Sequence, residues 1–330
     1  MALSSIEKLR RFYERFQGGD HVLIAINADP DAIASAMAVK RLLWRKVAGI
    51  TIAHVNVVKR PDNLAMIRLL GVSLTHWSGL DKSGFNRVVM VDSQPNHHEA
   101  FQGLLPDVII DHHPTTGVLV PFQDIRPTYG SVSTIMTEYL KAAKIRPSAK
   151  LATGLFYGIK TDTDNFQRQA IPEDIRAFQY LFRYANPHLA KKIEYAEIRI
   201  DFLKYYRTAI ENMKFRKRRT FVYLGPVVSP DVCVLIADFF MRVNRIEYSI
   251  VSGVCEKRLV IIFRNDGLRK NAGALAAQSF GKFGQAGGHK SMARAEIHLS
   301  DLPEDVKAGD DNHLLKWIMR QVNLGVRKKK

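Results

Sequence analysis

Val108-Ile109-Ile110-Asp111-His112-His113-Pro114 is the stretch on which the reading of this chain turns. Its apolar run has the pattern of a buried strand. The acid and two imidazoles that follow stand where open α/β sheets place their chemistry, outside the carboxyl ends of the strands. The same grammar recurs along the chain. Asp29 and Asp31 follow Val22-Leu23-Ile24-Ala25-Ile26, and Asp92 follows Val88-Val89-Met90-Val91. Asp162 follows the apolar run Gly154-Leu155-Phe156-Tyr157-Gly158-Ile159. A single Asp after a strand is ordinarily a turn residue or a helix N-cap. Four apolar runs that each end in an acid or acid/His group instead describe a metal site assembled from separate strand ends.

The bulk properties narrow the field. A chain of 330 residues with 46% hydrophobic side chains is long enough for a substantial core and, by its length, for two domains. No apolar run approaches the roughly 20 residues of a membrane helix, and Met1–Lys8 has no signal-peptide core. Cys233 and Cys255 are too few for a disulfide framework and do not have zinc-binding spacing, which fits a reducing cytoplasm. The net charge of +17 attracts polyanions. Lys214-Phe215-Arg216-Lys217-Arg218-Arg219 is the densest basic run: either a contact to a phosphate backbone or the solvated end of a helix. Arg327–Lys330 reads as a frayed basic tail.

Strand and helix patterns alternate through the first part of the chain, with helices over 5–17, 32–46, 61–70, 130–144 and 148–159. Strands are expected at 22–26, 50–57, 72–76, 88–91 and 108–110. This alternation predicts α/β architecture with a parallel sheet covered on both faces. Residues 173–213 read as helical throughout, and the chain beyond them as a smaller α/β domain with a glycine-rich loop at 281–288. The boundaries expected are 1–190 for the sheet domain, 191–215 for a helical linker and 216–330 for the second domain.

The donors have a coherent chemistry. A pair of divalent ions about 3.5–4 Å apart can activate water and clamp the oxygens of an in-line displacement at phosphorus. Carboxylate and imidazole donors without thiolate suit hard ions such as Mn²⁺ or Mg²⁺. Asp29, Asp31, Asp92, His112 and Asp162 are the candidate ligands, with Asp92 placed to bridge. His113 is a candidate for contact with a phosphate or for general acid catalysis, and Asp111 for orienting a histidine. Gly287, Gly288, His289 and Lys290 could cradle an anion, with Arg264 as a further phosphate or base contact.

These motifs resemble the DHH phosphoesterase superfamily, whose signature is Asp111-His112-His113 here. Asn27-Ala28-Asp29-Pro30-Asp31-Ala32-Ile33-Ala34-Ser35, Val91-Asp92-Ser93, Gly158-Ile159-Lys160-Thr161-Asp162-Thr163 and Gly287-Gly288-His289 match the other motifs in order, over nearly the whole chain. The two-domain form is most similar to the nanoRNase and 3′-phosphoadenosine 5′-phosphate phosphatase branch. That resemblance implies two Mn²⁺ ions, a DHH catalytic domain followed by a DHH-associated substrate domain, and hydrolysis by two-metal activation of water. The implied substrates are short RNA or DNA oligonucleotides, linear dinucleotides or related nucleotides. It implies metal ligation by Asp29, Asp31, Asp92, His112 and Asp162, His113 at the scissile phosphate, and Arg264 and His289 on the substrate. Homodimerisation is compatible with it, and a membrane partner is not expected.

The chain departs from that branch at Ala25, where a metal-ligating histidine is usual. Asn27 stands where exonucleases of the RecJ type carry an acid, and offers a neutral amide oxygen as a metal ligand. Ala286 stands where a further glycine is common. Two other readings therefore accompany the first: a nucleotide- or nucleic-acid-binding protein with an impaired metal site, and a RecJ-like single-strand exonuclease.

Overall fold

The computed structural model describes residues 3–168, 170–195, 200–306 and 309–327. It divides into two compact units, Met1–Glu197 and Ile198–Lys330. In the first, the elements run α1 (Ser5–Tyr13), β1 (His21–Ile26), α2 (Pro30–Leu42), β2 (Gly49–His54), α3 (Pro61–Leu70), β3 (Thr75–His76), β4 (Arg87–Val91), β5 (Val108–Asp111), β6 (Phe122–Ile125), α4 (Val132–Ala142), α5 (Ala149–Asp162), α6 (Pro172–Phe182) and α7 (Pro187–Glu194). Local chemistry sets most helix starts. Ser4, Asp29, Ser131, Ser148 and Asn186 cap with their side chains, and Pro30, Pro61, Pro172 and Pro187 occupy first turns.

All pairings in the first sheet are parallel, in the order β3-β2-β1-β4-β5-β6. The chain winds outward from β1 to β3, then returns to β1's other side with β4. The order reverses between β1 and β4, and the crevice at such a reversal is where open sheets bind ligands. Alternate strand residues serve opposite faces. Val22, Ile24 and Ile26 join the helices in one core, while Leu23 and Ala25 pack with Met90, Trp77 and Phe101 in another. The helices thus cover one face, and short irregular segments carrying Trp77 and Phe101 cover the other.

A buried ionic network ties α1, β6 and α4 together. Asp124 accepts from Lys8 Nζ at 2.6 Å, Arg126 Nη2 at 2.7 Å and the Tyr139 hydroxyl at 2.9 Å. Arg126 also donates to Glu138 at 2.6 Å.

The second unit contains α8 (Leu203–Asn212), β7 (Lys214–Arg216), β8 (Arg219–Pro226), α9 (Pro230–Met241), β9 (Tyr248–Cys255), β10 (Arg258–Asn265), α10 (Ala272–Phe280), β11 (Gln285–Gly288), β12 (Met292–His298) and α11 (Asp311–Arg327). Its mixed sheet has the order β11-β12-β10-β9-β8-β7, with β8 and β9 parallel and the other pairs antiparallel. Cys233 and Cys255 are both buried. Among the described residues no helix is long and apolar enough to cross a membrane.

Several expectations need correction. The run 154–159 lies inside α5, in keeping with the helix expected over 148–159, so Asp162 leaves a helix end and not a strand end. Strand β6 was hidden because only Phe122 and Ile125 in Phe122-Gln123-Asp124-Ile125 are apolar. Residues 173–213 are not one helical stretch: α6 and α7 are separated at Asn186-Pro187, which caps and starts the second helix. Phe202, Tyr205 and Ala209 belong to a core of the second unit, and Lys214 already lies in a strand. The basic run 214–219 is a hairpin rather than a helix end. Lys217 and Arg218, both at positive φ, form its two-residue turn. Part of the glycine-rich loop is strand β11.

Candidate metal centre

The crevice at the sheet reversal collects side chains from several elements. β1 leads into Asp29 and α2, β4 ends at Asp92, and β5 ends in Asp111-His112-His113. Asp92 turns out of its strand at φ 55°, a left-handed conformation that Asp and Asn tolerate better than other non-glycine residues. Asp31 lies in the first turn of α2, and Asp162 is the last residue of α5.

One donor atom each from Asp31, Asp92, His112 and Asp162 lies within 4.8 Å of the others. His112 is aimed by a backbone carbonyl: its Nδ1 is 3.1 Å from the Tyr129 carbonyl oxygen. With Nδ1–H donating there, Nε2 is the ring atom turned towards the carboxylates. That Nε2 lies 3.2 Å from Asp162 Oδ2 and 3.4 Å from Asp92 Oδ1. Asp31 is held at the N-terminus of α4, accepting from Val132 N at 2.6 Å and Ser133 N at 2.8 Å. Asp29 borders this group without joining it; its Oδ1 accepts from Ala32 N at 2.9 Å and caps α2. Asn27 is exposed just beyond β1, and Ala25 is fully enclosed in the apolar layer under the sheet.

The carboxylates strain against one another. Burial, reinforced by the neighbouring Asp162 charge, pushes the Asp31 carboxyl up to about 6. Burial and the Asp31 charge push Asp29 to about 6. Burial and Asp29 drive Asp92 well above the ordinary carboxylate range. Asp162 is raised chiefly by burial, although 22% of its side chain stays exposed. Burial disfavours a charged His112, but the Asp162 and Asp92 carboxylates outweigh it and raise the imidazole to about 12. Buried Asp92 Oδ1 has no hydrogen-bond partner. Carboxylates crowded around an imidazole nitrogen, with an orphaned oxygen among them, fit a hard divalent cation: it would satisfy that oxygen and offset the mutual repulsion.

His113 faces the same crevice. Its Nδ1 is 2.8 Å from Asp111 Oδ1, and the fully buried Asp111 also accepts from the His112 and His113 amides. Gln94 Nε2 donates to Asp111 Oδ2 at 2.7 Å, while Gln94 Oε1 accepts from Thr116. Burial works against the Asp111 charge, yet its bonds to His113 and Gln94 keep its pKa below the ordinary value.

Residues 21–159 are similar to the DHH family, N-terminal domain. An uncharacterized protein of Methanocaldococcus jannaschii is 32% identical over 315 residues, 95% of this chain and 64% of that protein. The chain therefore spans less than two thirds of that relative's length. An exopolyphosphatase-related protein from Bacteroides fragilis shares the fold, with a TM-score of 0.76 at 15% identity over 99% of this chain and 98% of the other.

Within the first unit a glycine permits the convergence. A Cβ at Gly158 would stand 2.5 Å from Ser133 Oγ and 3.0 Å from Asp31 Oδ1. Without it α5 approaches closely enough to bring Asp162 beside Asp31. Gly158→Ala is expected to destabilise the protein by about 1–3 kcal/mol through overpacking and to weaken divalent-metal binding. Urea unfolding and a Mn²⁺ titration check both; wild-type values in the two would contradict the spacer role. Gln94, the Tyr129 carbonyl and the α4 amides carry no sequence signal, since two are backbone groups and Gln94 belongs to no motif. His97 has the look of a loop residue, yet it joins Asp111 and His113 in a second donor group within 4.8 Å.

The second unit's candidates are placed differently from a free anion-binding loop. Arg264 is tied to Asp238 through Nε at 2.7 Å. Gly288 is in β11 at φ 142°, where a Cβ would stand 2.6 Å from Ala293 Cα, while Gly287 faces open space. The His289 and Lys290 carbonyls accept from Gly273 N and Ala272 N, so they occupy the first amides of α10 themselves.

Proposed function

We propose that this protein is a metal-dependent phosphoesterase acting on nucleotides or short oligonucleotides, with Mn²⁺ as the expected metal and Mg²⁺ as the alternative. The convergence of Asp31, Asp92, His112 and Asp162 in the crevice of a DHH-family domain carries this reading. When bound, two divalent ions would supply an activated water and charge stabilisation at the phosphorus. The chain's own residues do the rest. Asp31, Asp92, Asp162 and His112 hold the metals, and Asp29 and Asn27 are assigned as further ligands on the family resemblance. His113 presents its Nε2 to the phosphate, because Asp111 engages Nδ1, and from that atom it can hydrogen-bond a phosphate oxygen or pass a proton to the leaving oxygen. Asp111, braced by Gln94, fixes the ring. Arg264, Gly287, Gly288, His289 and Lys290 are assigned to substrate binding on the family resemblance.

A panel of linear and cyclic dinucleotides, oligonucleotides of increasing length, 3′-phosphoadenosine 5′-phosphate and pyrophosphate, each with Mn²⁺ and with EDTA, tests the proposal. Mn²⁺-dependent turnover that slows as oligomers lengthen is expected. Turnover that persists on long single strands would favour the exonuclease reading. Binding without turnover of any compound would favour the binding-protein reading, for which the enclosed Ala25 is the motivating residue.

A further inference from the structure

The basic run and the last helix, neither used by the metal centre, meet in one cleft. β7 and α11 line a groove of about 500 Å³. β7 is one edge of the second sheet, and β11, with the glycine motif, is the other. Lys214 and Arg216 are two residues apart on β7 and so project to the same side. Lys316 and Arg320 are one helical turn apart on α11. All four line the groove. The groove lining also includes the apolar Met319 and Leu324, the latter 46% exposed.

The charges here are available. Among the described residues Lys214, Arg216 and Lys316 form no ion pair, and Arg320 has only an exposed contact of 3.5 Å to Asp305. Arg219, the hairpin partner of Arg216, donates to Asn323 at 3.4 Å while its buried Nε has no hydrogen-bond partner. The basic cleft beside α1 in the first unit contrasts with this: Arg10 and Arg11 are bound to Glu7, and Lys8 to Asp124. Charge on an edge strand also guards against edge-to-edge aggregation, but that accounts for β7 alone. It explains neither the cations of α11 nor the apolar side chains that line the groove with them. Cations from a strand and a helix beside apolar side chains match a single nucleic-acid strand, whose phosphates are drawn to the cations and whose bases present apolar faces.

We propose that the β7–α11 groove binds the backbone of single-stranded nucleic acid, separately from the metal centre and from the glycine motif. The test is fluorescence anisotropy of a labelled single-stranded RNA of about 12 nucleotides, with the full chain in EDTA. Because no divalent metal is present, failure here leaves the hydrolytic reading untouched. The triple variant K214A/R216A/K316A removes unpaired groove-lining side chains and is expected to keep the wild-type melting temperature. Its affinity should fall about tenfold or more, and the slope of log affinity against log salt should shrink by about 2. The single variant Lys316→Arg should bind as wild type. Unchanged affinity and slope in the triple variant would overturn the proposal, as would a wild-type protein that does not bind the RNA. Loss of binding to phosphatidylserine vesicles with RNA binding intact would also overturn it, and would mark a membrane-facing surface instead.

Discussion

Asp92→Asn is expected to lower metal-dependent hydrolysis by roughly 10³-fold, at the upper end of what loss of one charge-stabilising group costs, while leaving the fold intact. Asn suits the test because it tolerates the left-handed backbone that residue 92 adopts. It also separates two effects. In the metal-free protein the buried Asp92 carboxyl is raised well above its ordinary range by burial and by Asp29, so the ionised form opposes folding. A carboxyl whose folded pKa is raised costs stability as pH climbs from the ordinary carboxylate range through the folded value. Asp29 and Asp31, raised to about 6, act in the same direction. Metal-free wild type should therefore be less stable in urea at pH 8 than at pH 5. Asp92→Asn should remove part of that loss. Bound metal stabilises the folded state by mass action, about 2.7 kcal/mol at a hundredfold excess over Kd; wild type should gain that and the variant much less. An Asp92→Asn protein that hydrolyses and responds to Mn²⁺ as wild type would remove Asp92 from the centre.

Asp124→Ala is expected to cost about 3 kcal/mol of folding stability, the lower end for breaking a buried ion pair by deleting one partner. Arg126 would keep Glu138, but Lys8 and the Tyr139 hydroxyl would lose their acceptor. Burial raises the Asp124 carboxyl, and Arg126 and Lys8 more than reverse this, so its folded pKa lies below the ordinary value. The stabilisation is therefore fully present above the ordinary carboxylate pKa and lost as pH falls through the depressed one. The gap between wild type and variant should be wide at pH 7 and narrow towards pH 3. Asp124 lies outside the metal centre, so a folded variant should retain its metal affinity. A constant gap across this range would show that lost packing, rather than charge, sets the effect.

The part of the site that was legible in the sequence is the part that leaves strand ends. Asp29, Asp92 and Asp111-His112-His113 follow short apolar runs, and the periodicity that identifies a strand also locates its end. Asp162 follows a run with the apolar continuity that a buried helix shares with a buried strand, and it leaves the end of helix α5. What remained hidden depends on distant parts of the chain. The Tyr129 carbonyl aims His112, the α4 amides grip Asp31, and Gly158 spaces α5 from α2; none of these is a property of its own neighbourhood. The hairpin at 214–219 was missed because Lys217-Arg218 lacks the glycine or asparagine that such turns favour. Arg264 could be recognised as a cation, but its pairing with Asp238 could not.

The most direct test is a crystal grown or soaked with Mn²⁺ and examined at the manganese absorption edge. The expected result is anomalous density among the carboxylates of Asp31, Asp92 and Asp162 and Nε2 of His112. Density elsewhere on the molecule with none in this crevice, at saturating Mn²⁺, would contradict the assignment of these residues to a metal centre.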